Sequence, residues 1–186
     1  MLLSNGQALE YARPDPAVLS VDVLARSLSR LPRFCGHTLG DHAYSVAQHS
    51  VIVSGLVPRR IALAALLHDA HEAFTSDIPT PVKRSVDGIR DVERTLDEAV
   101  YTWAGLEPPL PPIGNDWELI HFADVAALAA ELRDLMPPPP RPIPEPRTPY
   151  VVRDRIVPWP PAVAAKKWRS RLVSLAPHLD CPAILA

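Results

Sequence analysis

The chain has 186 residues, a formal charge of −2 and a sequence pI near 6.4. That length suits one domain with a substantial core, and so small a charge gives no electrostatic basis for wrapping a nucleic-acid polymer or coating an anionic membrane. No apolar run approaches the roughly 20 residues that span a bilayer, and the N-terminal stretch lacks a basic-then-apolar leader, so no membrane segment and a cytoplasmic location are expected.

Pro14 and Pro16 precede a first predicted helix over residues 17–31, "AVLSVDVLARSLSRL". Gly36 and Gly40 flank a turn, and a second helix over 42–57 is ended by Gly55 and Pro58. Pro58 opens a third, which the periodicity carries through 59–74 to the turn "SDIPTP". A fourth spans 89–104 before Gly105 and Pro108, and a fifth spans 117–135. Four prolines then stop the chain, and residues 137–149, "PPPPRPIPEPRTP", are expected to be extended. A last helix over about 161–175 packs back on the others. Strand signals are weak throughout. The expected fold is all-α: a single-domain bundle of about six helices with its core over about 18–136.

The two cysteines, Cys35 and Cys181, are far apart and outside any paired metal spacing, so both are expected to be reduced thiols. No glycine-rich phosphate loop occurs, which removes the main support for dinucleotide-fold and P-loop readings.

The third helix poses the functional question. Its apolar run, Ile61 to Leu67, ends in His68, Asp69, His71 and Glu72, and polar groups of that kind are costly in a core unless something there uses them. At 100° per residue, Glu72 falls at about 40° and Asp69 at about 100° from His68. Leu63, Leu66, Leu67, Ala70 and Phe74 occupy the opposite side. Imidazole beside carboxylate is ligand chemistry for a divalent metal. His49 lies mid-helix in "YSVAQHSVIVS", and Asp124 lies within an Ala/Leu-rich helix. Each alone is ordinary. Together with His68 and Asp69 they offer two imidazoles and two carboxylates from three helices, a set able to close around one octahedral ion and leave positions for water and a phosphate oxygen.

The pattern H…HD…D, with steps of 19 residues from His49 to His68 and 55 from Asp69 to Asp124, resembles the HD-domain metal-dependent phosphohydrolases. The blocks "RFCGHT", "YSVAQHS", "LLHDAHEAFTSDIPTPVK" and "FADVAALAAELRDL" look like the small bacterial and phage or prophage members related to 5′-deoxynucleotidases. The resemblance implies His49, His68, Asp69 and Asp124 as ligands of one divalent ion such as cobalt, manganese, magnesium or zinc. It implies Glu72 as the carboxylate that handles the attacking water, and Asp77 as a catalytic residue near the sugar and scissile phosphate. Arg33 is implied as a phosphate clamp, a task that suits a planar guanidinium. Phe34 stands where the family carries a tryptophan against the base, and Lys83 is expected as a further phosphate contact.

The function so implied is hydrolysis of deoxynucleotides, by 5′-deoxynucleotidase action on dNMPs or alternatively by triphosphohydrolase action on a dNTP. A non-catalytic nucleotide-binding protein and a two-iron oxygenase are the rivals. Intact Glu72 and Asp77 weigh against the first, and a shortage of extra histidines against the second. The family commonly forms homo-oligomers, although no self-association surface is legible here. Elsewhere, His71 is expected to be solvated, behind the ligands or in touch with substrate, and His121 is one turn from Asp124. His42 and His178 are expected at the surface, as are Glu131, Arg133 and Asp134 near the end of their helix, where pairing between surface charges or subunits is the default. Trp103, Trp117, Trp159 and Trp168 are expected as core or interface anchors.

Overall fold

A computed structural model describes residues 1–107, 115–141, 144 and 147–180. Cys181, Pro108 and part of the Pro-rich stretch lie outside the described residues. The architecture is all-α: α1 (Val21–Leu28), α2 (Val46–Leu56), α3 (Ala62–Leu67), α4 (Glu72–Thr75), α5 (Thr80–Lys83), α6 (Ile89–Trp103), α7 (Asn115–Leu135) and α8 (Pro161–Leu175). Among the described residues no strand forms, only isolated bridges at Leu2–Ala8 and Pro32–Ser45.

Local chemistry sets the helix ends. Ser20 caps α1 by accepting from the Val23 amide, and Ser45 caps α2 by accepting from the Gln48 amide, each satisfying a donor that the first turn leaves orphaned. The first helix is shorter than its apolar pattern suggests. Pro16–Val18 form a separate 3₁₀ turn capped by Asp15, and the Ser20 cap starts the α-helix afresh.

Helix α2 carries buried residues on several sides, including Val46, Ala47, His49, Ser50 and Val53, and it packs against α3, α7 and α8. It is therefore the central helix of the bundle. Helix α8 lays Ala164, Trp168 and Leu172, one per turn, against α1 and α2. Trp168 is fully buried, and truncating such a side chain to alanine costs about 3–5 kcal/mol. Helix α7 presents Ile120, Ala123, Ala127 and Ala130 inward. These small side chains let it approach α2 closely and bring Asp124 towards His49.

The expected third helix, 59–74, is divided. A 3₁₀ turn at Arg59–Ile61 leads into α3, which stops at Leu67, and α4 starts at Glu72. Across the junction the amides of Ala70, Glu72, Ala73 and Phe74 bond three residues back, to Leu67, Asp69, Ala70 and His71. The His68 Nδ1 takes the Ala65 carbonyl at 2.8 Å. The chain thus tightens to about three residues per turn, where side chains three apart eclipse. This division and the short α5 account for the excess over six helices.

Between α7 and α8 the described residues 147–160 form a strap. Thr148 Oγ1 donates to Phe122 O, the Ile156 amide donates to Asp134, and Gln48 on α2 donates to Val157 O while accepting from the Trp159 amide. The backbone groups of Ile156, Val157 and Trp159 are thus satisfied by helix side chains, while Thr148 gives a strap hydroxyl to the backbone of α7.

Candidate metal and phosphate site

Three elements bring the candidate ligands together. His49 comes from α2, His68 and Asp69 from the turn after α3, and Asp124 from the middle of α7. One ligand atom each from His49, His68 and Asp124 lie within 4.8 Å of one another. His49 Nε2 is 3.1 Å from Asp124 Oδ1 and 3.6 Å from Asp69 Oδ2, and His68 Nε2 is 3.2 Å from Asp69 Oδ2.

Both imidazoles are oriented from behind. His49 Nδ1–H donates to Glu131 Oε1 at 2.6 Å, and His68 Nδ1–H donates to the Ala65 carbonyl. A carboxylate and a carbonyl can only accept, so these contacts fix the proton on Nδ1 and turn the lone pair of Nε2 towards the carboxylates. The Nε2 atoms of both rings are buried without a hydrogen-bond partner. Orphaned, inward-facing nitrogens beside two carboxylates fit a divalent cation, and outward Nδ1–H bonds are the usual support of metal-binding histidine.

The site's electrostatics are those of tightly paired charges. Burial works against ionising Asp69 and Asp124, but His68 and His49 beside Asp69, and His49 beside Asp124, hold both below the usual carboxylate range. Glu72 is different. Burial first, then Asp69 and Asp77, push its carboxyl up to about 9. Asp77 is raised as well, mainly by burial.

A cleft of about 290 Å³ opens beside the ligands, lined by Arg33, Phe34, Asp69, Glu72, Asp77, Lys83 and Asp124 among others. It thus gathers every residue expected at the substrate or in catalysis together with two of the four expected ligands. A larger groove, about 700 Å³ between α1 and α8, includes Arg26, Arg30 and Lys166 but no histidine. The smaller cleft is the chemically equipped one.

Arg33 reaches the site from an unusual turn. Phe34 and Cys35 both adopt left-handed backbone, at φ 54° and 52°, followed by Gly36 at φ 79°. This turn places the guanidinium inward, where Nη1 lies 3.4 Å from Asp69 and Nε 3.2 Å from Glu131. Lys83, on α5, pairs with Glu93 of α6 at 2.7 Å.

One residue differs from expectation, and another takes one of the placements expected of it. Glu131 is fully buried and not at the surface, because α7 turns it towards His49, Arg33 and Tyr44, whose hydroxyl donates to it at 2.9 Å. The signal in the sequence is its position seven residues after Asp124, two helical turns along the same face. His71 is buried behind the ligands, with Nδ1 2.9 Å from Asp97 and Nε2 3.6 Å from Glu93. Burial opposes charge on His71, but the bond to Asp97 and the nearby Glu93 carboxylate raise it to about 10. His71 therefore ties the site turn to α6. His42, His121 and His178 are exposed.

The model of a family described as 5'-deoxynucleotidase YfbR-like matches residues 36–108, a span that includes His49, His68, Asp69, Glu72, Asp77 and Lys83 but neither Arg33 nor Asp124. YfdR of Escherichia coli strain K12, an uncharacterized protein, is 37% identical over 131 residues, covering 70% of this chain and 69% of YfdR. An uncharacterized protein of Rhodobacter capsulatus is 38% identical over 115 residues, 58% of this chain and 59% of that one. A Pasteurella multocida protein named 5'-deoxynucleotidase PM0747 is 45% identical over 58 residues, 31% of this chain and 30% of its own. The chain belongs to the YfbR-like family, sharing that family's domain over residues 36–108 and, across more than two thirds of both chains, the sequence of YfdR.

Proposed function

We propose that the protein is a metal-dependent phosphohydrolase of the HD type that converts deoxynucleoside 5′-monophosphates to deoxynucleoside and phosphate. The observation that carries this reading is the pair of buried, unpartnered Nε2 atoms of His49 and His68 converging with Asp124 beside the cleft that holds Glu72 and Arg33. The names of the family and of the shorter-range relatives support the substrate class.

His49, His68, Asp69 and Asp124 would hold the divalent ion, which would supply Lewis acidity and positive charge at the phosphoryl group. With a cation beside Asp69 to offset the charge that raises its carboxyl, Glu72 would be ionised and would accept the proton of the water that attacks phosphorus. The bond from phosphorus to the 5′ oxygen breaks, and Asp77, the carboxyl of the cleft not committed as a ligand or base, returns a proton to the leaving oxygen. Arg33 offers its guanidinium edge to the phosphoryl oxygens. Phe34 offers a ring face to the base.

The lining of the cleft favours one phosphate over three. Its cations are Arg33 and Lys83, and Lys83 is already paired with Glu93, whereas a triphosphate carries several more charges to be met. The test is release of phosphate and of triphosphate from all dNMPs and dNTPs with Co²⁺ or Mn²⁺, in the wild type and in Glu72→Ala. Phosphate from dNMPs, lost in the variant, is the expected result. Triphosphate from a dNTP would move the assignment to triphosphohydrolase, and no release from a metal-loaded protein would leave a nucleotide-binding role.

A further inference from the structure

We propose that Glu131 is a positioning residue shared by both halves of the cleft: it aims the imidazole of His49 at the metal position and the guanidinium of Arg33 at the phosphate position. The inference rests on the phosphohydrolase reading above.

One carboxylate here receives three donors from separate parts of the chain. Oε1 accepts from His49 Nδ1 at 2.6 Å and from the Tyr44 hydroxyl at 2.9 Å, while Oε2 accepts from Arg33 Nε at 3.2 Å. Glu131 lies 82 residues from His49 and 98 from Arg33, so no local structure sets these bonds. Helix α7, which also carries Asp124, delivers the carboxylate.

The atoms used distinguish positioning from simple neutralisation. A counter-ion could satisfy either cationic partner through any of its nitrogens. Glu131 instead engages the rear atom of each side chain, Nδ1 of the imidazole and Nε of the guanidinium. The working atoms stay forward: His49 Nε2 faces Asp124 and Asp69, and Arg33 Nη1 faces Asp69. Arg33 Nη2 makes no hydrogen bond among the described residues. Both halves also meet on Asp69 Oδ2, which lies 3.6 Å from His49 Nε2 and 3.4 Å from Arg33 Nη1. A shift of Glu131 would therefore displace both together. Glutamine cannot replace it, because its one oxygen can face only one of the two N–H groups and its NH₂ would confront the other.

The experiment reads binding. Mn²⁺ affinity of Glu131→Gln is measured by calorimetry without substrate, and inorganic phosphate affinity is measured at saturating Mn²⁺. We expect Mn²⁺ to bind about 10–100-fold more weakly, the usual effect of losing a partner behind a ligating histidine. Phosphate should bind several-fold more weakly, and Arg33→Ala should add less in the Glu131→Gln background than in the wild type. Trp168→Phe, a core substitution on α8 outside the cleft, should lower thermal stability while leaving both affinities close to wild type. If Trp168→Phe weakens both as much as Glu131→Gln does, the effect is general loosening and the proposal falls. It falls equally if a folded Glu131→Gln keeps both affinities, or loses Mn²⁺ affinity alone with Arg33→Ala fully additive. Should Glu131→Gln not fold, Glu131→Asp, which keeps the charge and withdraws it by one methylene, is judged by the same outcomes. Because neither readout needs turnover, a wild type that binds Mn²⁺ and phosphate but hydrolyses no dNMP would overturn the proposed activity and leave the role of Glu131 standing.

Discussion

Phe34 and Cys35 hold consecutive left-handed conformations, at φ 54° and 52°, where a Cβ costs about 1–2 kcal/mol per residue. Strain of this kind persists where the surroundings over-determine it, and here the turn sends Arg33 inward and Phe34 to the cleft. Cys35 is exposed and lies outside the cleft, so Cys35→Gly separates the strain from the chemistry. Glycine relieves the clash but gives back about 0.5–1 kcal/mol of backbone entropy. The expected net is a gain of about 0.5–1 kcal/mol, seen as a rise of a few degrees in Tm, with KM for dNMP unchanged. A lower Tm would show that the turn is not strained. Phe34→Gly should gain similar stability but raise KM, because it also removes the aromatic face. Glu72 makes a prediction of a different kind. Its folded carboxyl is raised to about 9 by burial, Asp69 and Asp77, against an ordinary value near 4.5. In the metal-free protein the folded state therefore binds this proton more tightly than the unfolded chain does. The stability it contributes is fully present below about pH 4.5 and is lost as pH rises towards 9. Glu72→Gln should flatten that decline and be the more stable protein at pH 8 in EDTA, while activity with metal falls by about 10²–10⁴. Melting curves across pH check the sign, and parallel slopes in the two proteins would contradict it.

Among the elements, the strap after α7 is tied to the central helix by one side chain. Gln48 is buried and acts as a strand partner, donating to Val157 O at 2.9 Å and accepting from the Trp159 amide at 2.8 Å. Gln48→Ala should cost about 1–3 kcal/mol, since two part-buried hydrogen bonds to the strap are lost at about 0.5–1.5 kcal/mol each. Hydrogen exchange should show the Trp159 amide opening first, and unchanged protection there would refute the tether. The same contact explains what the sequence could and could not reveal. Helices α2, α6, α7 and α8 follow from apolar spacing, caps and prolines, all of them local signals. The division of 59–74 at His68 escapes such a reading, because the His68 to Ala65 side-chain bond and the three-residue amide steps do not alter the apolar pattern. The converging set of His49, His68, Asp69 and Asp124 was legible because histidine and aspartate are conspicuous in apolar helices. Glu131 was passed over, because "ELRD" has the look of an ordinary charged helix end: its spacing of seven from Asp124 marks the shared face, but only partners 82 and 98 residues away reveal what it holds. Gln48 is hidden for the same reason: its partners lie in a proline-rich stretch with no periodicity to align.

At the scale of the whole molecule, the candidate ligands join α2, the turn after α3, and α7, so a cation bound by His49, His68, Asp69 and Asp124 would cross-link elements that must separate on unfolding. A ligand that binds only the folded state adds about 2.7 kcal/mol at a hundred times its Kd. For a chain of 150–250 residues each kcal/mol is about 2–4 °C, so Mn²⁺ or Co²⁺ at that level should raise Tm by about 5–11 °C, and EDTA should reverse it. The size of the shift should depend on pH. Without metal, burial and Arg33 disfavour charge on His49, but Glu131 and Asp124 outweigh them and lift it to about 10. A proton and a cation then compete for the same Nε2, and binding the cation releases the proton. Between pH 6.5 and 8.5, at fixed free metal, affinity should therefore strengthen about tenfold per pH unit, or about 1.4 kcal/mol, and the Tm shift should grow with it. Asp124→Ala removes one ligand and one partner of His49, so it should shrink the metal-induced shift at every pH. A metal effect on Tm that is absent in the wild type, or that survives unchanged in Asp124→Ala, would mean that the convergence of His49, His68 and Asp124 is an internal ion-pair network of the bundle and not a metal centre.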